Sequence, residues 1–366
     1  MYRPFCKEYV YFDKYMNERT YQQPRIFPLA EASGRKDVPA TPGSSSLPEN
    51  VETENSANEM TYQQSCTPCF ENKVIAVSGS YALIADRLPD LHFCGDSQCF
   101  PLYWYEQVEV DVPADEAQGA LFEDPNAPEA KQSLLDLGDK MTQKKTQYVR
   151  HDAITNTGLQ VFREAYPNMR ISKEDIFYYV YGILHSPEYR TRFENNLNKE
   201  LPRIPLAKDF KAFMKAGREL AQLHLDYEHV EPYPVVEVGD SANPGRTEKM
   251  RYPNKIKDPE SGKSIKDPTV LQVAERLTFQ EIPTRAYQYV VNGKSALDWI
   301  IDRYQVRTDK KTGIVNDPNL YSDDPRYIVD LVRKVITVSL RTLDIVDSLP
   351  PLEELPKSDN WPEEWN

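Results

Sequence analysis

A chain of 366 residues with 40% apolar and 11% aromatic side chains can bury at least one large core, which excludes an intrinsically disordered protein. No apolar run approaches the roughly 18 to 20 residues of a membrane span, and the first residues lack the apolar core of a signal peptide, so we expect a cytoplasmic protein. The net charge of -13 argues at first against nucleic-acid binding, because phosphate contacts depend on Lys and Arg.

Residues 1–147 are predicted to be β-rich. Residues 31–68 and 106–147 are polar and contain prolines, which predicts two polar insertions in this part. The turn Ser78-Gly79-Ser80 joins two apolar runs. Four apolar or aromatic runs predict the strands of one sheet: Tyr9–Phe12, Lys73–Val77, Tyr81–Ile84 and Cys99–Tyr105.

Residues 148–229 are predicted to form a helical bundle. Ser172 with Asp175 resembles a capping box, which marks the start of a first helix. Ser186, followed by Pro187 at the first helical position, begins a second helix, and Asp209 caps a third. Apolar residues recur at helical spacing after each of these caps, so each helix has one face for a shared core.

Residues 230–366 are predicted to mix strands and helices. Asn292-Gly293 indicates a turn, Ser295 caps a helix, and Asp324-Pro325 opens a long final helix before the acidic tail. The apolar face of that last helix is long enough to span both halves of the molecule. The fold class is therefore α+β, and the expected strands of this part are Val235–Val238, Thr269–Val273 and Tyr287–Val291.

The sequence contains none of the catalytic motifs that we sought. It has no P-loop, no dinucleotide-binding glycine motif, no His-Glu-x-x-His, no Gly-x-Ser-x-Gly and no Asn/Asp-Pro-Pro-aromatic loop for adenine methylation. Asp124 with Glu129 and Lys131 loosely resembles a nuclease site, but these residues fall in a polar insertion rather than on a rigid core strand. We therefore expect no catalytic residue, no metal ion and no cofactor. The histidines are expected to be structural or surface residues: His92, His151, His185, His224 and His229.

The five cysteines form an odd number, which is typical of a reducing compartment rather than of a disulfide framework. Cys66, Cys69, Cys94 and Cys99 could in principle give four thiolates to zinc. Four residues separate the last two cysteines, and His92 is the sole nearby histidine, so isolated structural thiols are the favoured interpretation.

The negative charge is concentrated in two stretches. Residues 106–129 hold eight acidic side chains and no basic one, and residues 344–366 hold seven acidic side chains and one lysine. These stretches together carry -14, so the rest of the chain nets +1 and can present a local basic face.

Basic side chains cluster in two segments of the C-terminal part. A hairpin-like segment, 246–268, carries seven basic and four acidic side chains, and a second group follows the helix that Ser295 caps. Basic loops beside strands suit phosphate contacts, although ordinary solvated loops are an alternative explanation. The two groups are Lys249, Arg251, Lys255, Lys257, Lys263 and Lys266, then Arg303, Arg307, Lys310 and Lys311.

Several strings of residues resemble one family. The segments Asp175–Arg190, Leu201–Pro205 and Ala216–Leu225 are similar to the C-terminal region of Type ISP restriction-modification enzymes. Further similar strings occur in the same order across most of the chain: Tyr2–Phe5, Pro89–Phe93, Gln98–Tyr103, Val291–Ser295 and Gly313–Pro318.

This resemblance implies a DNA target-recognition domain. Such enzymes join a nuclease, a helicase-like ATPase, an adenine-N6 methyltransferase and a C-terminal target-recognition domain, and this chain resembles the last part alone. The expected partners are double-stranded DNA and the methyltransferase and helicase parts of the same system, in one polypeptide or as a separate chain. No membrane partner is expected.

Candidate contact residues follow from position and chemistry, since polar and basic side chains at turns can reach base edges and lysines or arginines can pair with phosphates. The alternatives are a protein-interaction scaffold that docks the other parts without reading DNA, and a fragment that supports methyl transfer together with a partner chain. For base reading the candidates are Ser78, Ser80, Gln98, Asn292 and Lys294; for phosphate contact they are Lys73, Arg251, Lys255, Lys257, Lys310 and Lys311.

Overall fold

The computed structural model describes Phe5 and residues 71–87, 89, 93–113, 142–257 and 262–356. The predicted strand Tyr9–Phe12, the insertion 31–68 and residues 114–141 of the second insertion lie outside these ranges. Also outside them are the following residues named above: Cys66, Cys69, His92, Asp124, Glu129 and Lys131.

The described residues form both strands and helices, which confirms the predicted α+β class. The strands are β1 Val74–Ser78, β2 Tyr81–Ala85, β3 Gln98–Pro101, β4 Tyr103–Pro113, β5 Thr142–Asp152, β6 Val236–Gly239, β7 Lys255–Lys257, β8 Ser264–Lys266, β9 Leu271–Ala274, β10 Leu277–Gln280, β11 Val290–Val291, β12 Lys294–Ser295, β13 Arg307–Thr308 and β14 Val315–Asn316. The helices are α1 Asn156–Ala165, α2 Lys173–His185, α3 Pro187–Arg192, α4 Glu194–Leu197, α5 Phe210–Leu225, α6 Ala296–Arg303 and α7 Tyr327–Asp347. Two 3₁₀ helices cover Thr284–Gln288 and Pro318–Leu320.

A three-stranded antiparallel sheet, in the order β2-β1-β3, lies between two hydrophobic cores. Ala76 of β1 and Leu83 of β2 pack into the C-terminal core, which β9, β10, α6 and α7 complete. Ile75, Val77 and Ile84 pack into the helical core, which α1 to α5 line. Successive side chains of a strand point to opposite faces, so a sheet covered on both faces needs the continuous apolar runs seen in β1 and β2.

The helices of the helical core begin where their caps predict. Ser172 and Asp175 form the reciprocal capping box of α2, Ser186 caps α3 with Pro187 at its start, and Asp209 caps α5 through the backbone N–H of Ala212. These local predictions are confirmed because a cap depends on residues only three positions apart.

Helices α2 and α5 approach each other backbone to backbone. A Cβ on Gly217 would lie 1.8 Å from the carbonyl oxygen of Tyr178, and one on Gly182 would lie 2.1 Å from that of Phe213. Only hydrogen fits at either position, so these two glycines set the distance between the helices.

Strands β4 and β5 form a two-stranded ribbon whose register runs from Tyr103 opposite Asp152 to Pro113 opposite Thr142. Eleven residues per strand make it about 35 Å long. The ribbon is longer than the sequence predicts, since a strand was expected only to Tyr105 and a helical part from residue 148. Polar and β-branched residues alternate from Gln107 to Val112, a period of two that the acidic composition of this segment obscures.

The C-terminal part is built on the sheet β6-β10-β9 and on α7. The 21-residue helix α7 lines the C-terminal core with Ile328, Val332 and Ile336 and reaches the helical core at Val346, so the predicted spanning helix is confirmed. It begins at Tyr327, slightly after the predicted start at Asp324. None of the helices in the described ranges combines the length and the apolarity that crossing a membrane requires.

The predicted strand Tyr287–Val291 is wrong for its first half. Residues Thr284–Gln288 form a 3₁₀ helix, and only Val290–Val291 pair, as a two-residue strand with β12. Tyr287 instead donates a hydrogen bond of 3.0 Å from its hydroxyl to the carbonyl of Pro268, and that tertiary contact outweighs the β-propensity of the run.

Candidate nucleic-acid interface

Three turns meet at one end of the central sheet, and we call them the turn cluster: Ser78–Ser80, Gly95 and Asn292–Gly293. Gly95 has a φ of +86°, and a Cβ there would lie 2.9 Å from Oγ of Ser78 and 3.0 Å from Nδ2 of Asn292. Glycine is required at this position both by its backbone angle and by its neighbours. Two predicted base readers more than two hundred positions apart in sequence therefore lie side by side.

The other predicted base readers surround the turn cluster. Gln98 is exposed and pairs with Val77, next to Ser78, at the start of β3. Ser80 lies within the turn between β1 and β2, and Lys294 begins β12 directly after Gly293. The structure thus brings all five residues predicted for base reading to one end of the sheet; their role in reading bases stays a prediction.

Lys294 connects the turn cluster to its surroundings. Its ammonium group lies 3.2 Å from Oδ2 of Asp302 and 5.0 Å from the ring centre of Trp299. Asp302 also accepts a 2.7 Å hydrogen bond from Arg307, the first residue of β13. Partial burial alone would raise the pKa of Asp302, but the hydrogen bond from Lys294 and the charges of Lys294, Arg307 and Arg303 hold it below its usual value.

Strands β7 and β8 form an exposed hairpin that we call the lysine hairpin. Lys255 stands opposite Lys266, and Lys257 lies on the same face because side chains alternate along a strand. The other face presents Ile256 opposite Ile265, about two-fifths exposed at 41% and 40%. Like charges directly opposite one another destabilise a hairpin, so a polyanion bound to the lysine face would relieve a repulsion.

Strands β13 and β14 form a second exposed hairpin, the tip hairpin, whose turn carries Lys310 and Lys311. The carboxylate of Asp309 accepts hydrogen bonds from the backbone N–H groups of Lys311 at 2.9 Å and of Thr312 at 2.8 Å. These bonds, with one from the Thr312 hydroxyl, hold the pKa of Asp309 below its usual value. The turn is therefore ordered, while both lysines stay exposed.

The bases of both hairpins are hydrogen-bonded to one segment of chain, residues 248–254. The backbone of Val306 bonds to Glu248 beside the tip hairpin, and that of Asp267 bonds to Asn254 at the base of the lysine hairpin. Asn254 is six positions after Glu248, so the two bases are at most about 20 Å apart. Arg251 lies between them, with an exposed side chain and its backbone bridged to Gln272.

The lysine hairpin is also linked to the turn cluster. The hydroxyl of Tyr252, just before the hairpin, lies 3.2 Å from Oδ1 of Asp298, and Oδ2 of Asp298 accepts a 2.7 Å bond from Ser295 at the end of β12. The turn cluster and the two hairpins are thus joined by direct contacts through Asp302 and Asp298.

Lys73 is the predicted phosphate contact that the structure separates from the rest. Its Nζ donates a 2.6 Å hydrogen bond to the hydroxyl of Tyr178. It precedes β1, five residues and about 16 Å from Ser78 at the other end of that strand. Ile256 and Ile265 are not among the residues predicted from the sequence, although lysine and isoleucine alternate in this segment and so mark an exposed strand.

The cysteines and histidines within the described residues do not form a metal-binding group of three or more. Cys94 and Cys99 are free thiols, and burial raises their pKa to about 12 and about 11, which favours the protonated thiol. His185 and His224 are buried, and burial is the main cause that lowers the pKa of each. Their surroundings suit structural residues, as predicted.

Comparison with known proteins identifies the family. The model of the Type ISP C-terminal specificity domain matches residues 53–331. No curated protein sequence matches the chain. Among solved structures, the chain is similar to "ATP-dependent Type ISP restriction-modification enzyme LlaBIII bound to DNA", at 31% identity and a TM-score of 0.68 over 97% of this chain and 18% of that one.

Two further structures show the same similarity. A nuclease-deletion mutant of the Type ISP enzyme LlaGI with a DNA substrate mimic gives 30% identity and a TM-score of 0.64, over 97% of this chain and 25% of that one. The DrdV–DNA complex gives 28% identity and a TM-score of 0.64, over 96% of this chain and 28% of that one. The chain thus spans less than a third of each of these proteins. It belongs to the family of Type ISP C-terminal specificity domains.

Proposed function

We propose that this chain is the DNA target-recognition domain of a Type ISP-like restriction-modification system. It would give sequence specificity to an adenine-N6 DNA methyltransferase and a helicase-nuclease, in the same polypeptide or in a separate chain. The family assignment and the DNA bound in all three similar structures support this proposal. Its place of action would then be the cytoplasm.

The observation that carries the proposal is the position of two exposed lysine-bearing hairpins around the turn cluster. Lysines on projecting hairpins can pair with phosphates of a duplex and fix its orientation, while short polar side chains at turns can reach base edges in a groove. Lys255, Lys257, Lys310 and Lys311 would hold the backbone, and Ser78 and Asn292 would face the bases. Phosphate contacts would position the duplex, and base contacts would recognise its sequence.

In this proposal the chain has no reaction of its own. Methyl transfer, ATP hydrolysis and cleavage would belong to the other parts of the system, and this domain would decide which adenine is presented to the methyltransferase. Detection of methyl transfer to DNA by the isolated chain would contradict it.

A second candidate function, docking to those other parts, is favoured by the ribbon β4–β5. Val110 and Val149 are exposed on the ribbon. They lie on the same face, because Val149 pairs with Glu106 and the side chains of Glu106 and Val110 point to the same side of their strand. These two exposed valines favour contact with protein over contact with phosphate. Docking and DNA recognition use different surfaces, so the two functions are separable by substitution.

Fluorescence anisotropy with random-sequence duplexes tests DNA recognition. The wild-type chain should bind at about 50 mM salt, where phosphate contacts are strongest, and lose affinity steeply by about 200 mM. The double variant Lys255→Gln with Lys257→Gln should bind at least about tenfold more weakly, with a salt slope smaller by about two.

The matched control removes two exposed lysines of α5, by Lys211→Gln with Lys215→Gln, for the same change in net charge. Its affinity should stay within about twofold of the wild type, because these lysines lie on a helix of the helical core and not on a hairpin. Absence of binding by the wild-type chain at about 50 mM salt would contradict the proposal and leave docking to the other parts of the system as the function.

A further inference from the structure

The tip hairpin and the 3₁₀ helix that follows it carry an unusual concentration of exposed apolar side chains. Leu320, Ile314 and Val315 are 78%, 67% and 57% exposed, more than any other large apolar side chain of the described residues. Val315 begins β14, Ile314 precedes it, and Leu320 ends the 3₁₀ helix. Burying these side chains against an apolar partner would be favourable, because apolar surface gains free energy when it leaves water.

Among the three, Ile314 is the one that closes the loop at the tip of the hairpin. Its carbonyl oxygen accepts a 2.8 Å hydrogen bond from the backbone N–H of Asp309, and these two residues enclose the four-residue loop 310–313. The N–H of Gly313 donates a 2.9 Å bond to the carbonyl oxygen of Asp309, whose carboxylate binds the loop from within. An ordered turn therefore presents the isoleucine, so little conformational entropy is lost when it meets a partner.

The charge around Ile314 indicates the kind of partner. Residues 307–316 hold three basic side chains and one acidic side chain, Asp309, whose carboxylate is occupied by N–H groups of the loop. Lys310 and Lys311 are exposed, and no carboxylate of the described residues pairs with either. Lysine is depleted in protein–protein interfaces, whereas it pairs readily with the phosphates of nucleic acids. An apolar side chain beside two unpaired ammonium groups therefore suits DNA better than a protein surface.

We propose that Ile314 inserts as a wedge between neighbouring base pairs of the bound duplex and kinks it, while Lys310 and Lys311 bind the adjacent phosphates. This inference rests on the proposed function and adds to it a deformation of the DNA. Proteins that bend DNA insert apolar side chains, isoleucine among them, between base steps, and the protein contacts that the bend allows offset the loss of stacking. The lysines would hold the backbone in place while the base pairs separate.

A kink at the tip hairpin would lie close to the residues proposed to read bases. Arg307, at the base of the hairpin, binds the carboxylate of Asp302, which also binds Lys294 beside the turn cluster. Pyrimidine–purine steps unstack more easily than other steps, so a kink adds selectivity at base pairs that no side chain touches. Ile314 would thus contribute to specificity through the deformability of the duplex, and the turn cluster through contact with bases.

Oxidation by permanganate, which attacks thymines whose faces are unstacked, tests the wedge without knowledge of the recognised sequence. Random-sequence duplexes saturated with the wild-type chain at about 50 mM salt should become severalfold more reactive than free duplexes. Ile314→Ser should lose most of this increase, because serine is too short and too polar to fill the gap between two base pairs. Ile314→Leu should retain the increase, because leucine has the same size and apolarity.

The salt dependence of binding, measured by fluorescence anisotropy, separates the wedge from the lysines. Ile314→Ser should keep the salt slope of the wild type, because the slope counts phosphate contacts and both lysines remain. The Lys310→Gln, Lys311→Gln variant should instead lower the slope by about two. The control Leu201→Ser removes an exposed leucine from the loop between α4 and α5, and it should match the wild type in slope and in thymine reactivity. Circular dichroism checks that each variant is folded.

The outcomes distinguish the wedge from the proposed function. Binding by the wild-type chain with no rise in thymine reactivity would overturn the wedge and leave the proposed function standing. A wild-type rise for folded Ile314→Ser would also overturn it, and would assign the exposed apolar side chains to contact with another protein. Absence of any DNA binding by the wild-type chain would contradict the proposed function itself, and the wedge with it.

Discussion

The helical core and the two basic hairpins differ in what surrounds their side chains. In the helical core, α2 and α5 touch backbone to backbone, and Tyr179 and Phe213 are fully buried. In the hairpins, Lys255, Lys257 and Lys310 are exposed, and Ile314 is 67% exposed. Under the proposed function, stability resides in the first region and DNA contact in the second, so substitutions should affect one property without the other.

The largest effect is expected where the two helices meet. Gly217→Ala places a methyl group 1.8 Å from the carbonyl oxygen of Tyr178, which α2 and α5 can relieve only by moving apart. We expect the free energy of unfolding to fall by about 3 kcal/mol or more, measured by urea denaturation. The control, Gly158→Ala in α1, meets no backbone atom and should change stability by less than about 1 kcal/mol. Equal stability of both variants would contradict the close contact.

A second loss of stability should appear when the pH is lowered. Burial, and then the charge of Arg190, lowers the pKa of His224 to about 3, whereas an unfolded histidine titrates near 6.5. Below pH 6.5 the unfolded chain binds a proton that the folded chain excludes, so stability is complete above 6.5 and falls as the pH falls. The loss from His224 is about 1.4 kcal/mol per pH unit, or about 2 kcal/mol by pH 5.

The variant His224→Gln isolates this contribution. An amide in place of the ring can still bond to Tyr181 and Thr342, the two present partners of His224, but it does not titrate. Urea midpoints at pH 7, 6 and 5 should therefore fall less steeply than in the wild type. The exposed-histidine variant His229→Gln should keep the wild-type loss. Identical pH dependence in His224→Gln and the wild type would refute the assignment.

The same two regions differ in how far the sequence predicts them. Caps at Ser172, Ser186 and Asp209 were predictable because each depends on neighbours within three positions. The β-strand run before Asn292 was mispredicted because a tertiary contact of Tyr287 decides its conformation. Patterns among near neighbours in the sequence thus predict the helices of the helical core. They do not predict a conformation that contacts between distant residues determine.

The candidate site was predictable in its residues but not in its assembly. Polar turn residues such as Ser78 and Asn292 are recognisable from the sequence, yet their contact through Gly95 joins segments that are distant along the chain. The burial of Arg190 was not predictable either, because an arginine on a short helix usually lies at the surface.

The smallest effect on stability is expected in the tip hairpin. Lys310→Gln with Lys311→Gln should change the free energy of unfolding by less than about 0.5 kcal/mol, because both side chains are exposed and the turn is held by Asp309 instead. Affinity for random-sequence duplexes should nevertheless fall severalfold near 50 mM salt, with a smaller salt slope. The Lys211→Gln, Lys215→Gln variant has the same net charge, and it should match this variant in stability but the wild type in binding. If both double variants lose affinity equally, net charge rather than the hairpin governs DNA binding, and the division between a stabilising core and a DNA-binding surface fails at this hairpin.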